Sequence, residues 1–126
     1  MPVYKLQEAE NSTAWHNRGS LHERLGNVEA AMRDYTEACR LDPDRPLAFA
    51  SMGRMLEQQG RFPEAVEHLD KALELDASEV EFYRCRAGCL RAMGKWDRAS
   101  NDFAQCGSLM NDILYGLRNK PWVWGR

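Results

Sequence analysis

The chain has 126 residues with 17 Lys+Arg against 19 Asp+Glu, a net charge of −2, so nothing global points to nucleic acid or an acidic membrane surface. No apolar run approaches the ~18 to 20 residues of a membrane span, and Met1 to Glu10 lacks the basic-then-apolar layout of a signal peptide. The simplest expectation is one soluble domain, intracellular and cytoplasmic, with a small but useful core.

Residues 1–11 form an N-terminal segment too short and mixed to assign. From residue 12 the apolar spacing is helical: Trp15, Arg18, Gly19, His22 and Leu25 recur at three and four, Gly26 and Asn27 interrupt, and Val28, Ala31, Met32, Tyr35, Ala38 and Leu41 resume the period. Asp42-Pro43-Asp44 ends this second helix, because proline lacks a donor and denies its predecessor the α conformation. In the next stretch Gly60 closes a first helix, and Phe62-Pro63-Glu64 opens its partner with Pro63 near the first helical position.

The pattern then returns. Trp15, Gly19 and Gly26 step by 34 residues onto Phe49, Gly53 and Gly60, and again onto Tyr83, Ala87 and Gly94. Ala31, Ala65 and Ala99 share a column, as do Tyr35, Leu69 and Phe103, and Ala38, Ala72 and Cys106. Such a period outranks any single motif and predicts three helix-turn-helix units, over 12–45, 46–79 and 80–113. Gly19, Gly53 and Ala87 are expected where two helices cross closely, opposite the small Ala31, Ala65 and Ala99. The aromatic column and the Tyr35, Leu69, Phe103 column are expected to fill the layers, each worth roughly 1.5 to 3 kcal/mol when buried. Helical spacing accounts for the aromatics better than a stacking platform does.

Beyond the repeats, Leu109, Met110, Ile113, Leu114 and Leu117 predict a capping helix over 109–120 covering the open end of the array. After Lys120-Pro121, residues 121–126 form an aromatic tail in which Trp122 and Trp124 alternate onto one side, to pack inward or to dock a partner.

These residues resemble the tetratricopeptide repeat family. Trp15, Gly19, Gly26, Ala31, Tyr35, Ala38 and Pro43 stand at its spacing in the first unit; Phe49, Gly53, Leu56, Gly60, Ala65, Leu69 and Ala72 in the second; Tyr83, Ala87, Leu90, Gly94, Ala99 and Phe103 in the third. Arg18 and Arg86 depart from a leucine column, His22 from a tyrosine column, and Ala77 and Asn111 from a proline column. The resemblance implies an all-α, right-handed solenoid with a capping helix, acting as a non-enzymatic adaptor or scaffold for a protein or peptide partner. The alternative is a structural subunit of a larger assembly, held by its outer surface and tryptophan tail.

The faces that the repeat columns leave free would line a shared groove with Thr13, His16, Asn17, Ser20 and Glu23, then Leu47, Ala50, Ser51, Arg54 and Glu57, then Glu81, Arg84, Cys85, Gly88 and Arg91. Asn17, Ser20, Ser51, Arg54, Arg84 and Arg91 are the candidate peptide contacts, the arginines suiting an acidic partner. A solvated face of mixed charge is the bland alternative. One subfamily clamps a chaperone's terminal carboxylate with lysines, asparagines and an arginine, but the columns here hold His16, Ser20, Ser51, Glu81 and Cys85, and Glu81 would repel a carboxylate, so such a clamp is not expected even though Arg84 stands one residue from the arginine's column.

Cys39, Cys85, Cys89 and Cys106 read as structural thiols, without the paired spacing or nearby histidines of a zinc site. No phosphate loop or nucleophile with a base appears, and His16, His22 and His68 fall on separate helices. No cofactor, metal, catalytic residue, nucleic acid or membrane insertion is expected.

Overall fold

A computed structural model describes residues 3–118, as six helices in series: α1 (Val3–Arg24), α2 (Val28–Leu41), α3 (Pro46–Gln58), α4 (Phe62–Leu75), α5 (Val80–Ala92) and α6 (Trp96–Arg118). No strand occurs among the described residues. The most extensive contacts are within the pairs α1–α2, α3–α4 and α5–α6, and α2–α3 and α4–α5 join one pair to the next. Each layer therefore rests mainly on its neighbours, as in a helical repeat solenoid.

The turn inside each pair is set by one glycine column. Gly26, Gly60 and Gly94 have φ of 81°, 77° and 76°, a left-handed conformation that costs other residues a steric penalty. Around Gly26 its own N–H donates to the Glu23 carbonyl (3.1 Å) and the Asn27 N–H to the His22 carbonyl (2.8 Å), the paired bonds of a Schellman stop. The same pair of bonds recurs at Gly60-Arg61 and Gly94-Lys95.

A second column ends the second helices. Asp42 Oδ1 accepts the Asp44 N–H (3.3 Å), and Asp76 Oδ1 accepts the Ser78 N–H (3.0 Å) and hydroxyl (2.6 Å), so the side chain draws the backbone into a turn. The third member is Met110, which accepts nothing comparable. α6 accordingly runs unbroken to Arg118, so the described part of the capping helix expected over 109–120, residues 109–118, continues α6. Leu109 packs against the core, whereas Met110, Ile113 and Leu114 are 46%, 52% and 52% exposed, so they do not cover the array's end. The Leu117 side chain lies outside the described part. At the other end α1 begins at Val3, well before residue 12, and buried Ser12 donates from Oγ to the Ala38 carbonyl (2.9 Å).

Close crossing at the small columns follows from geometry. A Cβ built on Gly53 would stand 2.8 Å from Leu69 Cγ, and one on Gly19 2.9 Å from the Tyr35 ring. The atoms nearest these glycines belong to the Tyr35 and Leu69 column, with the Ala65 carbonyl oxygen 3.3 Å from the Cβ on Gly53, and Ala31 and Ala65 are fully buried. Tyr35 and Leu69 are wholly enclosed, but Phe103 is 42% exposed, contrary to expectation. α2 and α4 are each covered by a following unit, and among the described residues α6 has none. Of the aromatic column, Tyr83 is buried, Phe49 is partly so against the core, and Trp15 is partly exposed.

Candidate functional site

The first helices of the units, α1, α3 and α5, are tied across one face by polar links. His16 Nε2 and Ser51 Oγ lie 3.0 Å apart between α1 and α3, and the His16 ring sits 5.2 Å from that of Tyr35. Further along α1, Glu23 receives Arg54 through Nε (3.2 Å) and a terminal nitrogen (2.7 Å), together with the Tyr35 hydroxyl (2.7 Å). Between α3 and α5, Cys89 Sγ donates to Glu57 Oε2 (3.3 Å). Ala50, Ser51, Cys85 and Gly88 keep the floor low, and a Cβ on Gly88 would meet only Glu57, at 3.8 Å.

Burial and pairing set the protonation of this floor. Burial, then the charges of Arg45 and Arg54, hold His16 below its ordinary 6.5, with Glu23 pulling the other way, so the ring is neutral at neutral pH. Burial opposes the Glu23 charge, yet the hydrogen bonds from Arg54 and Tyr35 outweigh it and leave its pKa lowered. Tyr35 is pushed up to about 12, by burial first and then by its bond to Glu23. Burial, with help from Glu57, raises Cys89 to about 12, and burial alone raises Cys39 to about 11. All four cysteines are free thiols.

The six candidate contacts separate under this geometry. Asn17, Arg84 and Arg91 are exposed, and Ser20 and Arg54 are partly so. Ser51 is only 2% exposed and bonded to His16, so it belongs to the floor. Arg54 is held by Glu23, and Arg84 pairs with Glu81 one turn earlier on α5. Two shallow depressions, of about 350 and 150 Å³, are lined by Gly94 to Arg98 and by Ala14, Trp15 and Arg18, none of them floor residues. Trp122 and Trp124 lie outside the described residues. Among the described residues no helix is long and apolar enough to cross a membrane, and no group of three His, Cys, Asp or Glu is placed to hold a metal ion.

The family model named Tetratricopeptide repeat matches residues 12–45 and 46–78, more than half of the chain. The chain belongs to the tetratricopeptide repeat family. Solved structures agree in fold. The second such domain of Spaghetti (RPAP3), bound to the HSP90 peptide SRMEEVD, superposes with a TM-score of 0.83 at 21% identity, covering 86% of this chain and 99% of that one. The OM64 domain from Arabidopsis gives 0.78 at 20%, covering 81% and 84%. MamA gives 0.80 at 17%, covering 83% and 61%.

This tetratricopeptide repeat protein compensates two of its departures from the family pattern, Arg18 and Arg86, in a way that single columns do not show. Arg18, in the leucine column, makes two 2.8 Å bonds to Asp34, and Arg86 makes two 2.8 Å bonds to Asp102 and one of 2.9 Å to Asp70. Asp34 and Asp102 are 3% and 5% exposed. The guanidinium of Arg18 lies 4.5 Å from the Trp15 ring centre, and that of Arg86 lies 5.8 Å from Tyr83. In the second unit the same three columns hold Phe49, Met52 and His68, with the two rings 6.5 Å apart. The readable signal was an aspartate sixteen residues after each arginine. Arg18 thus ties its own repeat, while Arg86 ties its own repeat through Asp102 and the preceding one through Asp70.

Proposed function

We propose that this tetratricopeptide repeat protein is a non-enzymatic adaptor that holds an acidic segment of a partner protein across α1, α3 and α5. The supporting observation is the chain of cross-helix links, His16 with Ser51, Glu23 with Arg54 and Tyr35, and Glu57 with Cys89. These links fix the spacing of the three helices before any ligand arrives, which lowers the ordering cost of binding. Exposed Arg91, together with Arg84, whose ion pair is with the exposed Glu81 beside it, supplies the attraction for carboxylates, since the partly buried Arg54 is held by Glu23.

The HSP90 peptide bound by the Spaghetti domain is a less fitting ligand. The columns of the terminal-carboxylate clamp hold His16, Ser20, Ser51, Glu81 and Cys85, which leave a free carboxyl terminus without cations. An internal acidic stretch needs no such clamp. The test is capture of partners from cell extract with the intact chain, an Arg84→Glu/Arg91→Glu variant and a chain ending at Arg118. The expected result is a roughly tenfold weaker capture by the charge-reversed variant, with an unchanged helical circular dichroism spectrum. Equal capture by both would refute the reading, and loss only on truncation would favour a subunit held through its tail.

A further inference from the structure

α6 exposes an apolar stripe made of Trp96 (62%), Phe103 (42%), Met110 (46%) and Leu114 (52%), with exposed Ser100 and Gly107 between them. In the first two units the matching columns are covered: Tyr35 and Leu69 are fully enclosed, Val66 and Leu73 are 7% exposed, and Val28, Phe62, Met32 and Cys39 are partly buried against the core. The following unit lies on that face of α2 and α4, with Thr36 meeting Met52 and Asp70 meeting Arg86. On α6 no described residue covers the same packing face.

We propose that this face is the two-fold interface of a homodimer, with α6 of one copy packed antiparallel on α6 of a second. The order of sizes along the stripe carries the proposal. Spacings of four and three keep residues 96, 100, 103, 107, 110 and 114 on one side of the helix. When two such helices run antiparallel about a two-fold axis level with Gln105, Phe103 faces Gly107, Met110 faces Ser100, and Trp96 faces Leu114. In the four central contacts bulk meets a gap, as an isologous interface requires of one surface used twice. A parallel pairing would set Phe103 against Phe103 and Gly107 against Gly107. Ala104, exposed beside the axis, is small enough to let the helices approach.

Gly107 fits the same contact, although it shares its open surroundings with Gly116 farther along α6. Gly19 and Gly53 are required by their own fold, but a Cβ on Gly107 would meet nothing within 4 Å. Its φ is not in the left-handed region either. A glycine inside a helix costs about 0.5 to 1 kcal/mol relative to alanine, and no contact among the described residues offsets this. A second copy that inserts Phe103 there does. The contact runs about 27 Å along the helix, which places it at the small end of stable interfaces, so the dimer is expected at high concentration. It leaves the α1, α3, α5 floor free, and two linked floors would bind a bivalent partner with avidity.

Sedimentation equilibrium on the intact chain tests the proposal, from low-micromolar to near-millimolar loading. The mass is expected to rise toward twice the monomer. Gly107→Phe, for which the single chain has room, should stay helical and remain monomeric, and Phe103→Ala/Gly107→Phe, which swaps bulk and gap, should dimerise again. An intact chain that is monomeric throughout, a Gly107→Phe variant that dimerises as well as the wild type, or a double variant that stays monomeric would each overturn it. So would dimerisation appearing only when the chain is cut after Arg118, which would make the following segment the occupant. None of these readouts involves partner capture, so the dimer and the adaptor reading fail separately.

Discussion

Replacing Arg86 by methionine isolates what the arginine–aspartate tie contributes. Arg86 bonds Asp102 through Nε and a terminal nitrogen at 2.8 Å and Asp70 at 2.9 Å; its side chain is 20% exposed, those of Asp102 and Asp70 7% and 41%. The Asp102 hydrogen bond is the main cause that raises the Arg86 pKa, against burial, so the guanidinium keeps its charge. Arg86→Met leaves the Asp102 carboxylate enclosed without a partner, a loss of about 3 kcal/mol at the lower end for a broken buried pair. The half-exposed Asp70 contact adds less than about 1 kcal/mol. At about 3 to 5 °C per kcal/mol for a domain of this size, the melting temperature should fall by roughly 10 °C or more. Arg86→Met/Asp102→His rebuilds the combination that the second unit uses, Met52 with His68, and should recover most of that loss. Thermal unfolding followed by circular dichroism decides the matter. A single variant as stable as the wild type, or a double variant no better than the single one, would refute the view that the aspartate is tolerated only because the arginine is there.

Two further predictions concern packing and pH. Gly53→Leu should cost more than ~2 kcal/mol through overpacking, because the new Cβ alone would sit 2.8 Å from Leu69 Cγ, whereas Gln58→Leu on the exposed side of α3 should be nearly neutral; equal melting temperatures would contradict the close crossing. His16 is held below 6.5 in the folded chain, mainly by burial, so the unfolded chain binds the extra proton first and stability should fall as pH drops below about 6.5 toward the folded value, with no contribution above. Urea midpoints across that window should show a smaller drop for His16→Gln, and an identical drop would remove His16 as its source.

The helix pairs are legible in the sequence because both their stops are single-residue chemistry. Gly26, Gly60 and Gly94 need a backbone conformation that few other residues adopt, and Asp42 and Asp76 close their helices with their own carboxylates. The floor of the site is less legible. Whether Ser51 faces a ligand or His16 depends on how two first helices meet across 35 positions of chain, and whether Arg54 is available depends on Glu23 lying within its reach. Neither is a property of one column. The arginine–aspartate ties were hidden for the same reason: Arg18 alone looks like a blemish in a leucine column, and only its distance to Asp34 turns it into a compensated exchange.

The largest departures fall at the two ends of the array, and they share a cause. A periodic sequence assigns one environment to every member of a column, but burial depends on what lies on both sides. Leu21 is 56% exposed, while Met55 and Cys89 in the same column are fully buried, because each later unit has a unit before it. Tyr35 and Leu69 are enclosed and Phe103 is not, because each earlier unit has a unit after it. At the first end no further signal distinguishes Leu21 from an ordinary core leucine. At the second end the sequence itself changes: Met110 replaces the aspartate stop and lengthens α6, and Ser100 and Gly107 replace the Val66 and Leu73 of the unit before. A helix merely left bare should gain polar residues along its open side. α6 instead keeps Trp96, Phe103, Met110 and Leu114 and sets small residues between them, which is the composition of a surface shaped to receive another helix.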